Sequence, residues 1–138
     1  MANVNVKQEL AVPARTVWDA IGNFNSLAQW HPAVAKSETA TEGDTTTRTL
    51  SLAGGGTIVE KLESTDETER SYTYSILSGP LPVADYTATI RVRESPGGCT
   101  VEWTSEFTPS GAPESDAVAA IRGVYDAGFE NLRRMFGT

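Results

Sequence analysis

The stretch DTTTRTLSLAGGGTIVEKL, residues 44–62, decides how the chain reads. Side chains alternate in direction along a strand. In residues 44–52, Thr46, Arg48, Leu50 and Leu52 therefore share one face, while Thr45, Thr47, Thr49 and Ser51 make a solvent face. In residues 57–64, Ile58, Glu60 and Leu62 share a face. Between them Ala53-Gly54-Gly55-Gly56 carries turn chemistry. A hairpin centred on Gly54 sets Leu50 opposite Ile58 and Arg48 opposite Glu60. Directly opposed side chains lie about 5 Å apart at Cβ. Two opposite charges thus face each other on an otherwise apolar surface.

The same alternation extends outward. Residues 3–12 read as a first strand, and further strands are expected over 34–41, 44–52, 57–64, 69–78, 83–94 and 98–107. Short Gly, Pro, Asp and Ser breaks separate the last six, which predicts an antiparallel meander. Pro13 opens a helix through Val17, Trp18 and Ile21 that Gly22 ends, and a second short helix is expected near 26–30, before Pro32. Residues 114–136 form the longest helical pattern, with Val118, Ile121, Tyr125, Leu132 and Met135 on one stripe. Gly123 and Gly128 within it each cost about 1 kcal/mol relative to Ala, which suggests a close approach or a space left open. The expected class is α+β: a curved seven-stranded antiparallel sheet wrapped around the long C-terminal helix, with two short helices between strands 1 and 2. If the helix does not fill the concave side, a cavity remains.

Composition narrows the function. The 138 residues are expected to form a single domain, 1–138, and 39% hydrophobic with 21% charged residues suits a packed core. Eleven Lys and Arg against 18 Asp and Glu leave a net charge of −7, which argues against nucleic-acid partners and anionic membrane surfaces. One Cys and one His make a disulfide framework or a metal site improbable, and no cofactor is expected. The start, MANVNVKQEL, lacks a basic, apolar leader, so the expected compartment is the cytoplasm, with Cys99 reduced. The sheet edges leave room for a homodimer.

Candidate site residues follow from the apolar faces. A turn near Glu67 sets Tyr74 beside Glu60, and one centred on Pro80 sets Tyr86 beside Tyr74. The expected row across the sheet is Arg48, Glu60, Tyr74, Tyr86. A buried ion pair is rarely a net gain over apolar residues, so a function is one explanation and plain structure the other. In the functional reading Arg48 meets a carbonyl or carboxylate, Glu60 moves a proton, and the tyrosine hydroxyls orient the molecule. His31, in a loop beside Trp30, is a further proton-transfer candidate. Tyr72, Tyr74, Trp30, Trp103, Ile58, Phe107 and Phe129 are the expected ligand-facing or core walls.

The pieces VPARTVWDAIGNFNSLAQWHPAV, TRTLSLAGGGTIVEKL, SYTYSI, GPLPVADYTATI and VEWTSEF, followed by a C-terminal helix, resemble the START-like (SRPBCC) superfamily. The polyketide cyclase/dehydrase and lipid-transport group, with its MxaD-like proteins, is the most similar. The resemblance spans essentially the whole chain and implies a helix-grip fold. A plant member, lachrymatory factor synthase, is similar in the stretches TRTL, VEKL and DYTAT. That likeness implies catalytic roles for Arg48, Glu60 and Tyr86. The implied function is binding of a small hydrophobic or aromatic molecule, polyketide- or lipid-like, in an internal cavity. Alternatives are a cyclase, dehydratase or isomerase using Arg48 and Glu60, and an accessory protein that binds a partner.

Overall fold

The computed structural model describes residues 1–138. Its elements are β1 (Ala2–Leu10), α1 (Ala14–Ile21), α2 (Leu27–Trp30), β2 (Val34–Glu42), β3 (Thr45–Leu52), β4 (Thr57–Asp66), β5 (Ser71–Ser78), β6 (Val83–Ser95), β7 (Gly98–Pro109) and α3 (Glu114–Phe136). All seven strands join one antiparallel sheet in the order β1-β7-β6-β5-β4-β3-β2. Strands β2 to β7 form the expected meander, and β1 returns beside β7.

Alternation sorts the strands as the pattern demands. Strand β7 buries Cys99, Val101, Trp103, Ser105 and Phe107 on its concave side. Helix α3 answers with Ala117, Ile121, Tyr125, Gly128, Phe129 and Leu132. Steps of three and four residues keep that stripe on one face. Val118 and Met135 lie beside it: Val118 is half-buried and Met135 exposed. At Gly128 an added Cβ would stand 2.9 Å from His31 Cδ2 and 3.0 Å from Trp30 Cζ3, so the glycine admits a close approach. Gly123 is exposed, with nothing near it.

Helix α3 packs along β1 and β7 and touches α2. The part of the concave face built by β3, β4 and β5 is therefore left less filled. Helix α1 buries Ala14, Val17, Trp18 and Ile21. Its first N–H, on Ala14, donates to Glu94 Oε1 at 2.9 Å, a cap supplied from β6. The Trp18 indole N–H donates to Glu67 at 2.7 Å and ties α1 to the β4–β5 turn.

Register agrees with expectation in the glycine hairpin: Leu50 pairs with Ile58 and Arg48 with Glu60. It departs by two residues in each of the next two hairpins. Strand β4 runs on to Asp66, whose Oδ1 accepts the N–H groups of Thr68 and Glu69, both at 3.0 Å. This side-chain turn moves the reversal past Glu67, with Arg70 at φ +51°. The pairing has two irregularities, one with the extra residue Leu77 on β5 and one with the extra residue Glu63 on β4. As a result Glu60 faces Ile76, and Tyr74 faces Leu62. Between β5 and β6, Tyr74 pairs with Ala88 rather than Tyr86. This pairing centres the β5–β6 turn on Leu81 rather than Pro80, and β6 carries a separate irregularity against β7 between Ala84 and Thr87, with Asp85 at φ +51°. A shift of two keeps each side chain on its face. The same residues therefore still point inward, but the straight row becomes a diagonal.

Candidate functional site

Arg48 and Glu60 are both buried, 1% and 5% exposed. Arg48 Nε donates to Glu60 Oε1 at 2.7 Å, and Nη2 lies 2.7 Å from the same oxygen. Nη1 donates to the Phe24 carbonyl at 2.8 Å and, at 3.4 Å, reaches the Tyr72 hydroxyl. The guanidinium lies 4.1 Å from the centre of the Phe24 ring and 5.0 Å from that of Tyr74. Burial works against the Arg48 charge, but Tyr72 and the Glu60 carboxylate around it outweigh burial and hold the group protonated. For Glu60 the balance is reversed. Burial raises its proton affinity, and Arg48 only partly offsets that.

Beside this pair lies a cavity of about 340 Å³, between β3–β7 and α3. Such a volume is at the low end of small-molecule pockets. Its walls are mostly apolar. Leu50, Leu52 and Ile58 come from the glycine hairpin, Ile76 and Trp103 from the sheet, and Ile121 and Val124 from α3. Gly54, Gly55, Ala33 and Leu81 stand around it, at the loop end of the sheet. A larger groove of about 590 Å³ runs along Ser75–Gly79 and Val83–Thr87, where β5 and β6 stop pairing. It shares Ile58, Ile76, Leu81 and Tyr86 with the inner cavity but lacks Glu60.

Of the residues singled out from the sequence, Glu60, Tyr74, Tyr86, Trp103, Ile58 and His31 line the cavity. Arg48, Tyr72, Trp30, Phe107 and Phe129 do not. Arg48 sits behind Glu60, against Phe24 and Tyr72, and its Nε and Nη1 donors are turned to protein acceptors, while Nη2 is buried without an aligned hydrogen bond. The expected approach of Arg48 to a ligand carbonyl or carboxylate is thus blocked by its own partner. Trp30 and Phe129 pack on the far side of Trp103, at ring-centre distances of 5.6 and 6.0 Å. Phe107 packs against Tyr86.

The tyrosines form a hydroxyl chain. The Trp103 indole N–H donates to the Tyr74 hydroxyl at 3.0 Å. Tyr74 and Tyr86 hydroxyls lie 3.3 Å apart, and Tyr86 meets the Tyr125 hydroxyl from α3. Indole N–H can only donate, so Tyr74 is the acceptor from Trp103, and its own proton is free to go to Tyr86. Burial pushes the Tyr74, Tyr86 and Tyr125 phenols upward, so all three stay neutral. Tyr125 lay on the expected helix stripe, but its link to this chain depends on helix docking that no local pattern reveals.

His31 is buried rather than poised in an open loop. The Ala33 N–H donates to Nδ1 at 3.1 Å. The ring proton therefore sits on Nε2, which donates to the Val124 carbonyl at 2.7 Å. Burial lowers its proton affinity, against the opposing pull of the Val124 bond. Both nitrogens are engaged, so His31 braces the 31–34 turn against α3. No three His, Cys, Asp or Glu side chains converge as a metal site would require.

No helix is long and apolar enough to cross a membrane. The sequence profile described as "Polyketide cyclase / dehydrase and lipid transport" matches residues 1–137. The structure of the protein XoxI from Bacillus cereus is similar at 36% identity, covering 99% of this chain and 96% of that one, with a TM-score of 0.93. An uncharacterized protein from Bacillus thuringiensis is similar at 37% identity over 98% of both chains, with a TM-score of 0.92. The ZhuI aromatase/cyclase from Streptomyces sp. R1128 shares the fold, with a TM-score of 0.73 at 20% identity over 97% of this chain and 95% of that one. A search of the curated proteins finds no match. The sheet gripping a C-terminal helix is thus a helix-grip fold, and the chain belongs to the polyketide cyclase/dehydrase and lipid-transport family.

Proposed function

We propose that the protein binds a small hydrophobic or aromatic molecule, polyketide- or lipid-like, in the inner cavity. The supporting observation is the combination of a roughly 340 Å³ apolar chamber with one buried carboxylate in its wall. In this reading Glu60 is the polar anchor. Arg48 is a positioning residue that holds Glu60 and the Phe24 loop together. Tyr74 and Tyr86 shape the floor. The test is thermal denaturation against a panel of apolar aromatic compounds. Binding raises the midpoint with compound concentration. The Ile121→Trp variant, which fills the chamber, removes that rise while still unfolding cooperatively.

A second reading is an enzyme of cyclase, dehydratase or isomerase type. The raised proton affinity of Glu60 favours it, because a carboxylate that takes up a proton more readily than usual suits such steps. Glu60 would take a proton from the bound molecule and return it elsewhere, with Tyr86 orienting the substrate. Glu60→Gln then abolishes turnover while leaving folding and affinity for apolar probes nearly intact.

A further inference from the structure

Six side chains bring polar atoms to the wall of the inner cavity or directly behind it: Glu60, Arg48, His31, Tyr74, Tyr86 and Trp103. Five are already engaged. His31 uses one nitrogen as acceptor and the other as donor. The Trp103 N–H is given to Tyr74, and the Tyr74 and Tyr86 hydroxyls bond along the chain to Tyr125. Arg48 gives Nε to Glu60 and Nη1 to Phe24 and Tyr72; its Nη2 lies 2.7 Å from Glu60 Oε1 without an aligned hydrogen bond, and the side chain does not line the cavity. Glu60 differs. Both close guanidinium contacts fall on Oε1, and no protein donor reaches Oε2. Arg48 keeps its charge, and Glu60 is the one carboxylate it touches, so Oε2 presents acceptor lone pairs.

Among the side chains that line it, the cavity therefore offers one strong acceptor and no spare donor or cation. From this we infer that the ligand is a neutral, mostly apolar molecule whose one necessary polar group is a hydroxyl or N–H that donates to Glu60 Oε2. A carboxylate or phosphate in the same place would meet a like charge with no donor to receive it, and burying it unpaired is unfavourable. A cation would give the already neutral Arg48–Glu60 pair a net buried charge. A ligand with acceptors alone would desolvate Oε2 without replacing its water. This inference rests on the inner cavity being the ligand site.

The experiment compares three probes of one shape by calorimetric titration at pH 7: 2-naphthol, 2-methoxynaphthalene and 2-naphthoate. The expected result is 2-naphthol binding at least tenfold more tightly than either of the others, since a hydrogen bond to a charged acceptor separates them. Glu60→Gln supplies a second readout. Its amide oxygen takes the Arg48 donors, which turns the NH₂ into the cavity in place of Oε2, so the preference for 2-naphthol over the ether shrinks below threefold. A wild-type ether affinity within threefold of 2-naphthol, or tightest binding of 2-naphthoate, overturns the inference while leaving the cavity as a ligand site. Failure of all three probes to bind overturns both.

Discussion

The Arg48 guanidinium holds a single oxygen of Glu60. Nε and Nη2 both stand 2.7 Å from Oε1, and Oε2 is left to the cavity side. A buried pair kept only for cohesion gains most by sharing donors over both carboxylate oxygens. The lopsided contact is what a carboxylate needs if it is both anchored and available.

The first prediction concerns stability. Arg48→Met leaves the Glu60 charge buried without a partner and is expected to destabilise by about 3–5 kcal/mol. The double variant Arg48→Met/Glu60→Leu recovers most of that loss, or exceeds wild type, because it removes both desolvation penalties. Urea unfolding of the three proteins checks this. The double variant also loses the preference for donor-bearing probes. Unchanged ligand preference in it shows that the pair serves structure alone.

The hydroxyl chain gives a second prediction. Tyr74→Phe leaves the Trp103 indole N–H buried with no acceptor, a loss of about 1–3 kcal/mol. Tyr125→Phe is expected to cost less, about 1 kcal/mol, because the Tyr86 hydroxyl can rotate its proton to another acceptor and the indole cannot. The ordering of the two denaturation midpoints checks it.

Helix α3 carries a third. Gly123→Ala is expected to stabilise by up to about 1 kcal/mol through helix propensity, since its surroundings are open. Gly128→Ala has the same propensity gain but drives a methyl to 2.9 Å from the His31 ring, which the Val124 carbonyl and Ala33 N–H hold in place. It is expected to destabilise by about 1–3 kcal/mol. Thermal unfolding of the two single variants should move in opposite directions.

The pH dependence of His31 gives a fourth. Burial lowers its folded-state proton affinity below that of the unfolded chain. The unfolded state therefore binds more protons in the window just below pH 6.5, and the His31 contribution is lost as pH falls through it. The slope from one proton is at most about 1.4 kcal/mol per pH unit. Glu60 acts in the opposite sense: its raised folded-state affinity makes acidification toward pH 4.5 favourable to the fold. The His31→Gln variant should show a flatter loss of stability between pH 7 and 5 than wild type, by denaturant titration at each pH.

Much of this architecture was legible locally. Period-two alternation sorted the strand faces, and Gly54 centred the hairpin that pairs Arg48 with Glu60. Helix α3 spans the expected residues 114–136. What escaped was turn and bulge chemistry. The Asp66 carboxylate moves the β4–β5 turn past Glu67, and the β5–β6 turn is centred on Leu81 rather than Pro80, which no alternation rule marks. Each shifted the register by two, so the inward set survived while the neighbours of Tyr74 changed. The depth of Arg48 was equally out of reach. Whether an inward charge meets the cavity or hides behind its partner depends on the Phe24 loop, packed from a distant part of the chain.

A crystal structure of the protein with 2-naphthol tests the account most directly. The account predicts the ring between Trp103 and Ile121, with its hydroxyl oxygen within hydrogen-bond distance of Glu60 Oε2. A ring seated in the outer groove by Asp85, or a hydroxyl turned away from Glu60, contradicts it.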